Sequence, residues 1–353
     1  MLLNDRVNAF SELGKFLSQF KTTGYEKVNS VLCNEDFFEE MSQKIDTAVH
    51  HNGWFTKENI LFSLKQWGNA LTKENLDNWL SSYSLTKNKA KTIGTIMAGN
   101  IPLVGFHDFL SVLISGNKIL VKQSSNDNQL LPFLSTYLIA IEPRFKDRIS
   151  FTFDKLKSFD AIIATGSDNT SRYFEYYFSK VPNVIRKNRN SVAVLTGSET
   201  KEELQALGED IFRYYGLGCR SVSKIMIPKN YKFDLFFEAM YDYHDIMNSA
   251  KYANNYDYNK AVYLMSNYKL FENGFLMLKE DESYASPIAT LFYEKYESID
   301  LLIKKIEKDK EKIQCIVGNS FLSGCIEFGQ TQNPMLSDYA DGIDIIEFLT
   351  KIN

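Results

Sequence analysis

The stretch that combines a nucleophile with the means to activate it is Tyr214-Tyr-Gly-Leu-Gly-Cys-Arg-Ser-Val-Ser-Lys224. Cys219 stands in a glycine-bearing turn (Gly216, Gly218) between a helical run at 201–212 and a strand-like run at 223–227. Glycines there let the backbone bend sharply and let a substrate come close. A cysteine titrates at about 8.5, so a nucleophilic one needs help. Arg220 lowers the cost of a thiolate, and the amides of Cys219 and Arg220 can point at a developing oxyanion. The other reading is a buried, inert cysteine at a helix-to-strand turn. The remaining cysteines, Cys33, Cys315 and Cys325, form no CxxC pair and no metal-ligand spacing, so no metal is expected.

Acid–base candidates are few. His244, in Tyr241-Asp-Tyr-His-Asp245, can donate a proton to a departing thiolate or alkoxide; a partly exposed helix histidine is the alternative. His107 follows Gly105-Phe106 at a helix start and reads as structural. His50 and His51 end a helix and read as solvated.

The elements that must position these groups fall into two blocks. Residues 1 to about 85 read as helices. Val7, Phe10, Leu13, Phe16, Leu17 and Phe20 recur at three- and four-residue spacing, one face of an amphipathic helix. A second helix begins after Asn34, and two more open with Thr-Lys-Glu-Asn at 56–59 and 72–75, the threonines suiting N-caps. From Thr92 short β-branched runs (92–97, 118–121, 149–153, 161–164) alternate with helices (106–114, 129–141, 169–178). That alternation predicts a parallel sheet with crossover helices. No G-x-G-x-x-G and no P-loop is present. After Pro182 a second block carries strands at 191–195, 223–227, 261–265, 289–293 and 313–317, with a charged helix over 299–312. Asp341-Gly-Ile-Asp-Ile-Ile-Glu-Phe-Leu349 reads as a terminal strand or interface segment. No Pro/Gly/Ser-rich linker separates the blocks, which predicts packed lobes.

Composition narrows the class. The 353 residues are 44% hydrophobic and 24% charged, ordinary for a globular chain with a substantial core. A net charge of −4 without a basic cluster argues against nucleic acid as partner. The 26 Phe and 20 Tyr are spread along the chain, as core residues are. No apolar run approaches the ~18 residues of a membrane span, and no apolar signal core follows Met1. With the cysteine usage, this predicts a cytoplasmic protein.

Four segments, in order, resemble landmarks of the aldehyde dehydrogenase superfamily. Met97-Ala-Gly-Asn-Ile-Pro102 is similar to its asparagine-bearing loop, and Gly116-Asn-Lys-Ile-Leu-Val-Lys122 to its strand ending in a cofactor-binding lysine. Ala164-Thr-Gly-Ser167 resembles its Thr-Gly-Ser turn at a helix start, and 216–223 its catalytic cysteine loop. Within the superfamily the chain looks most like the short acyl-CoA reductases of the bacterial bioluminescence (LuxC-like) type. The asparagine loop and cysteine loop suggest it, with Asn254-Asn-Tyr-Asp-Tyr258 and Leu336-Ser-Asp-Tyr-Ala-Asp-Gly342. The resemblance covers roughly 90 to 350; the first 85 residues are compatible with it.

The fold it implies is aldehyde-dehydrogenase-like α/β in two lobes. Residues 1–190 would form a helical N-terminal region and a Rossmann-like cofactor domain, and 191–330 an α/β catalytic domain carrying the cysteine. The tail, 331–353, would return to the cofactor lobe or an interface. The function it implies is NADPH-dependent reduction of a fatty acyl-CoA, or other acyl thioester, to the aldehyde. Cys219 would attack the thioester carbonyl and become acylated, with the Asn100 side-chain amide completing an oxyanion hole. Lys122 would reach the adenosine ribose, and Ser167 the pyrophosphate at a helix start. Ser124, Ser125, Thr165 and Gly166 would complete the cofactor set. The alternatives are a turn asparagine, a solvated strand-end lysine and a simple N-cap.

Two departures carry information. Aldehyde-oxidising members have a glutamate that activates water, whereas the matching stretch here, Val184-Ile-Arg-Lys-Asn-Arg189, has no carboxylate. The superfamily often follows its lysine with Pro-Ser-Glu; here Gln123-Ser-Ser125 removes an anion and tolerates a 2′-phosphate, which favours NADPH. Other readings kept open are a reductase of a short acyl-CoA or acyl phosphate, a cysteine acyltransferase or thioesterase, and a cofactor-free scaffold. Chain length and oligomeric state, including a homo-oligomer, stay open.

Overall fold

A computed structural model describes residues 1–85, 89–319 and 324–352. The chain divides into two compact units, Met1–Lys187 with Met335–Asn353, and Asn188–Pro334.

The first unit opens with α1 (Leu3–Leu17), a small hairpin of β1 (Phe20–Lys21) and β2 (Gly24–Tyr25), then α2 (Asn34–His51), α3 (Lys57–Ala70) and α4 (Lys73–Leu80). The face spaced along α1 is buried from Val7 to Leu17, and Phe16 stacks on Tyr137 at 4.1 Å. Thr56 and Thr72 cap their helices as the repeated Thr-Lys-Glu-Asn predicts, accepting from the Asn59 and Asn75 amides at 3.3 and 3.2 Å. Such caps contribute about 1 kcal/mol each.

An alternating run follows: β3 (Thr92–Ile96), α5 (Phe106–Ile114), β4 (Lys118–Lys122), α6 (Leu130–Ile141), β5 (Ile149–Thr152), β6 (Ala161–Thr165), α7 (Asp168–Phe178) and β7 (Asn183–Arg186). These strands form one parallel sheet in the order β5-β4-β3-β6-β7. The chain runs outward from β3 to β5, then crosses back and continues through β6 to β7. The switch point therefore lies between β3 and β6, and ligands of such sheets bind beyond the carboxyl ends there.

The second unit contains β8 (Asn190–Val194), α8 (Lys201–Phe212), β9 (Val222–Pro228), α9 (Asp234–Met240), α10 (Ala250–Met265), β10 (Leu270–Glu272), β11 (Met277–Glu280), β12 (Thr290–Tyr296), α11 (Ile299–Lys308) and β13 (Ile313–Val317). Its sheet runs β10-β11-β12-β9-β8-β13, parallel except for the antiparallel edge strand β10. The strand expected at 261–265 is instead the last turn of α10. Ala-Val-Tyr-Leu-Met is apolar without a decisive period, and α10 buries only Tyr252, Tyr256 and Tyr263. The chain ends in the first unit with α12 (Ile345–Lys351), capped by Asp344, which accepts from the Glu347 amide at 2.8 Å. Of the two expectations for this tail, the terminal strand is corrected: the segment is a helix, burying Ile345, Ile346 and Leu349.

Candidate active site

Cys219 sits between α8 and β9 in the second unit. Beyond α8 three consecutive residues take left-handed backbone angles: Tyr214 (φ 55°), Tyr215 (φ 59°) and Gly216 (φ 73°). Two of them are tyrosines, and such strain costs about 1–3 kcal/mol per residue, so it persists only where packing enforces it. Tyr214 is buried, and the Tyr215 ring lies 6.1 Å from Tyr252 of α10. Cys219 is exposed, whereas Cys33 and Cys325 are half-buried and Cys315 is buried. The cysteine of this turn is therefore exposed, not buried.

The turn is braced from both sides. Ser191 Oγ at the start of β8 donates to the Cys219 carbonyl at 2.9 Å. Arg220 Nε donates to the Thr331 carbonyl at 2.5 Å, and Gln332 Nε2 to Ser221 Oγ at 3.3 Å. The 329–331 segment is itself fixed by Asp210 of α8, which accepts from the Gly329 amide (2.7 Å), the Thr331 amide (2.9 Å) and Thr331 Oγ1 (2.8 Å). Burial pushes the Asp210 carboxyl up to about 6, against the pull of those three bonds. Arg220 is thus tethered beside the cysteine by a chain of contacts that starts on the helix before it.

In the first unit, Asn100 lies in the loop between β3 and α5. That loop is packed onto the one after β4: a Cβ on Gly99 would lie 2.6 Å from Ser124 Cβ and Oγ and 3.1 Å from the Asp127 amide. Only glycine permits that approach. Asp127 Oδ2 accepts from the Leu103 amide at 3.2 Å, and Ser63 Oγ donates to the Pro102 carbonyl at 3.2 Å. Asn100 and Ser124 are thereby brought into one cluster at the ends of neighbouring strands.

Lys122 ends β4, half-buried, and among the described residues its ammonium has no carboxylate partner. Ser124 Oγ accepts from the Asn126 amide at 3.2 Å, while Ser125 is exposed. Thr165 closes β6, and a Cβ on Gly166 would come within 3.0 Å of Phe174 and 3.1 Å of Thr170, so this glycine lets α7 fold back onto the strand. Ser167 is the N-cap of α7, its hydroxyl accepting from the Thr170 amide at 3.3 Å. The capping expected as an alternative is realised.

His244 is exposed on the 3-10 segment Tyr241–Asn248, stacked 4.8 Å from Tyr241, with Nδ1 2.9 Å from the Tyr241 carbonyl. Its neighbour Tyr243 stacks at 5.0 Å on Phe212, the last residue of α8. His107 is structural as expected: its Nε2 donates to the Leu336 carbonyl at 2.9 Å, and burial holds its pKa below the usual value. His50 and His51 are exposed, and among the described residues no cluster could hold a metal ion. None of the described helices is long and apolar enough to cross a membrane.

Sequence reasoning does not find Asp108, Asp127 or Asp210. Each is a lone carboxylate without a motif around it, and only burial marks it out.

Among solved structures, the chain resembles aldehyde dehydrogenase 21 from Physcomitrella patens, determined with the reaction product succinate, at a TM-score of 0.63. The sequences are 14% identical over 91% of this chain and 74% of that one. A Bacillus cereus aldehyde dehydrogenase in complex with NAD+ gives 0.59 at 12% identity, covering 86% and 69%. A Mycobacterium tuberculosis aldehyde dehydrogenase, also with NAD+, gives 0.58 at 12%, covering 86% and 70%. At such identities the likeness defines the fold alone, and that fold is the aldehyde dehydrogenase fold. No curated protein sequence matches the chain significantly. The family model described as acyl-CoA reductase (LuxC) matches residues 14–236, well over half the chain, and the protein belongs to that family. Asn100, Lys122, Ser167 and Cys219 fall within the matched span; His244 lies outside it. Family and fold together make it an aldehyde-forming oxidoreductase acting on an acyl group.

Proposed function

We propose that the protein reduces a fatty acyl-CoA, or another acyl thioester, to the aldehyde with NADPH, through an acyl-enzyme on Cys219. The observation that carries this reading is the exposure of Cys219 in a strained, braced turn beside a tethered arginine.

A nicotinamide dinucleotide suits the donors of the first unit. Lys122 offers a cation without a carboxylate partner among the described residues, and α7 offers amides at its start, on strands that flank β3. The Ser167 hydroxyl is already engaged with Thr170, so the amides rather than that hydroxyl would meet a pyrophosphate; Asp168 in the same turn opposes the anion. Gln123-Ser-Ser125 brings no carboxylate to the ribose. Asp127, two residues further on, is turned into the protein, with Oδ2 on the Leu103 amide and Oδ1 buried. A 2′-phosphate is tolerated, and NADPH is the cofactor we favour.

The chemistry then follows from the chain's own groups. The Cys219 thiolate attacks the thioester carbon, forming a new C–S bond while the carbonyl electrons move onto oxygen. Asn100 is the proposed side-chain donor to that oxyanion, a role implied by the family resemblance; such a donor contributes on the order of 10²–10³ in rate. Collapse expels the CoA thiolate and leaves the acyl group on Cys219, with His244 as the proposed proton donor. NADPH, when bound, supplies the hydride that takes the acyl group to the aldehyde level, and the thiolate is regenerated.

The test is NADPH consumption across a series of acyl-CoA lengths with the product identified. The expected result is aldehyde in step with NADPH consumed. Turnover of the thioester without nicotinamide would instead assign a thioesterase or acyltransferase.

A further inference from the structure

We propose that Asp127 is a positioning residue for this reaction, holding the 98–105 loop in the conformation that presents Asn100. The proposal rests on the oxyanion role given to Asn100 above.

Three features converge on this loop. Leu103 is left-handed at φ 58°, a conformation a branched residue avoids, at a cost of about 1–3 kcal/mol. Its amide is held by Asp127 Oδ2 at 3.2 Å, and its carbonyl accepts from the Phe106 amide at 2.9 Å where α5 begins. Asp127 also stands against the other end of the loop, its own amide 3.1 Å from where a Gly99 Cβ would be. The carboxylate therefore braces the Leu103 flank of Asn100, while the Asp127 backbone packs against the Gly99 flank.

Asp127 is a costly brace. Its Oδ1 is buried with no hydrogen-bond partner among the described residues, and burial pushes the carboxyl up to about 6. A buried carboxyl with one amide partner destabilises a fold that needs only an acceptor there. Strain in one loop and an unsatisfied polar atom in the residue that braces it mark a functional constraint more than a folding one.

The experiment is a double-mutant cycle with Asn100→Ala and Asp127→Ala, with Asp127→Asn as the conservative variant and circular dichroism to verify folding. Asn100→Ala is expected to lower kcat about 100-fold. Asp127→Ala is expected to lower kcat on the order of 10–100-fold with KM for NADPH little changed, because a displaced catalytic group costs rate more than binding. In the Asn100→Ala background the same change should cost almost nothing, and Asp127→Asn, which keeps an acceptor for the Leu103 amide, should restore most of kcat. If Asn100→Ala is damaged while Asp127→Ala is not, or if the two losses multiply, Asp127 does not act through Asn100 and the proposal is overturned. An undamaged Asn100→Ala removes the oxyanion role itself, and the proposal falls with it. An Asp127→Ala that fails to fold is decided by Asp127→Asn: full kcat with a raised melting temperature supports the brace, and a kcat as low as that of Asn100→Ala overturns it.

Discussion

Arg186 grips both oxygens of Asp108, Nη1 to Oδ2 at 2.7 Å and Nη2 to Oδ1 at 2.8 Å, with only 8% of either side chain exposed. Arg186 ends β7, in the stretch that the sequence resemblance matches to the water-activating glutamate of aldehyde-oxidising members. Asp108 opens α5, just beyond the Asn100 loop. The carboxylate that β7 touches is thus held in a bidentate fork, each oxygen accepting from the arginine. The same pair ties β7 to the first turn of α5, which follows the Asn100 loop.

Breaking the pair from one side should be expensive. Arg186→Met leaves Asp108 buried and uncompensated, at a cost of about 3–5 kcal/mol. Replacing both partners, with Asp108→Leu added, should recover most of that loss. Urea unfolding of the two variants decides it; an Arg186→Met protein as stable as the original would mean that water or another cation reaches Asp108.

Without a base at β7, the acyl-enzyme should persist. Its hydrolysis in the absence of NADPH is expected to be slow, and oxidation of aldehyde to free acid with NADP equally poor. Ile185→Glu should speed deacylation, because a general base contributes typically ~10²–10⁴-fold. Rapid hydrolysis in the unmodified protein would point to a base elsewhere. Glu282, exposed, would come before Glu280, which already accepts from Lys295 at 3.0 Å and from the Tyr293 hydroxyl at 3.2 Å.

Cofactor preference rests on Lys122 and the missing anion at 123–125. NADPH should support faster turnover than NADH at equal concentration, and Lys122→Ala should raise KM for NADPH with less effect on kcat. Isothermal titration with both cofactors checks the binding directly. Equal or tighter NADH binding would remove the argument.

Asp210 supplies a pH dependence with a definite sign. Its carboxyl is raised from 3.8 to about 6, chiefly by burial, so the folded state prefers it neutral. Its stabilising contribution is complete below about pH 4 and is lost as pH rises through about 6. Asp210→Asn cannot ionise and should lack that loss. Its stability relative to the unmodified protein should therefore improve between pH 4 and pH 7, by up to roughly 2–3 kcal/mol. Denaturation at several pH values measures the difference, and a flat difference would mean that the bonds to Gly329 and Thr331 hold the ionised form at no net cost.

Much of the architecture is legible because local signals agree with tertiary demand. The helices at Phe106–Ile114 and Lys201–Phe212 and the strand at Ile313–Val317 fall where the sequence pattern puts them. Residues 261–265 and the tail mislead because a short apolar run carries no period of its own. The edge pair β10 and β11 goes unread although Asn273-Gly274 lies between the strands, with Gly274 at φ 93°. Among the candidate functional residues, Cys219 and Asn100 are each visible through glycine turns and motif order. Asp108, Asp127 and Asp210 are not, since their importance comes from contacts 24 to 121 residues away in sequence.

The central claim is tested most directly by intact-protein mass spectrometry after incubation with a long-chain acyl-CoA and no NADPH. The account predicts a single acyl adduct on Cys219, absent in Cys219→Ser and discharged as aldehyde when NADPH is added. A label on Cys33, Cys315 or Cys325, or aldehyde formation by Cys219→Ser, would contradict it.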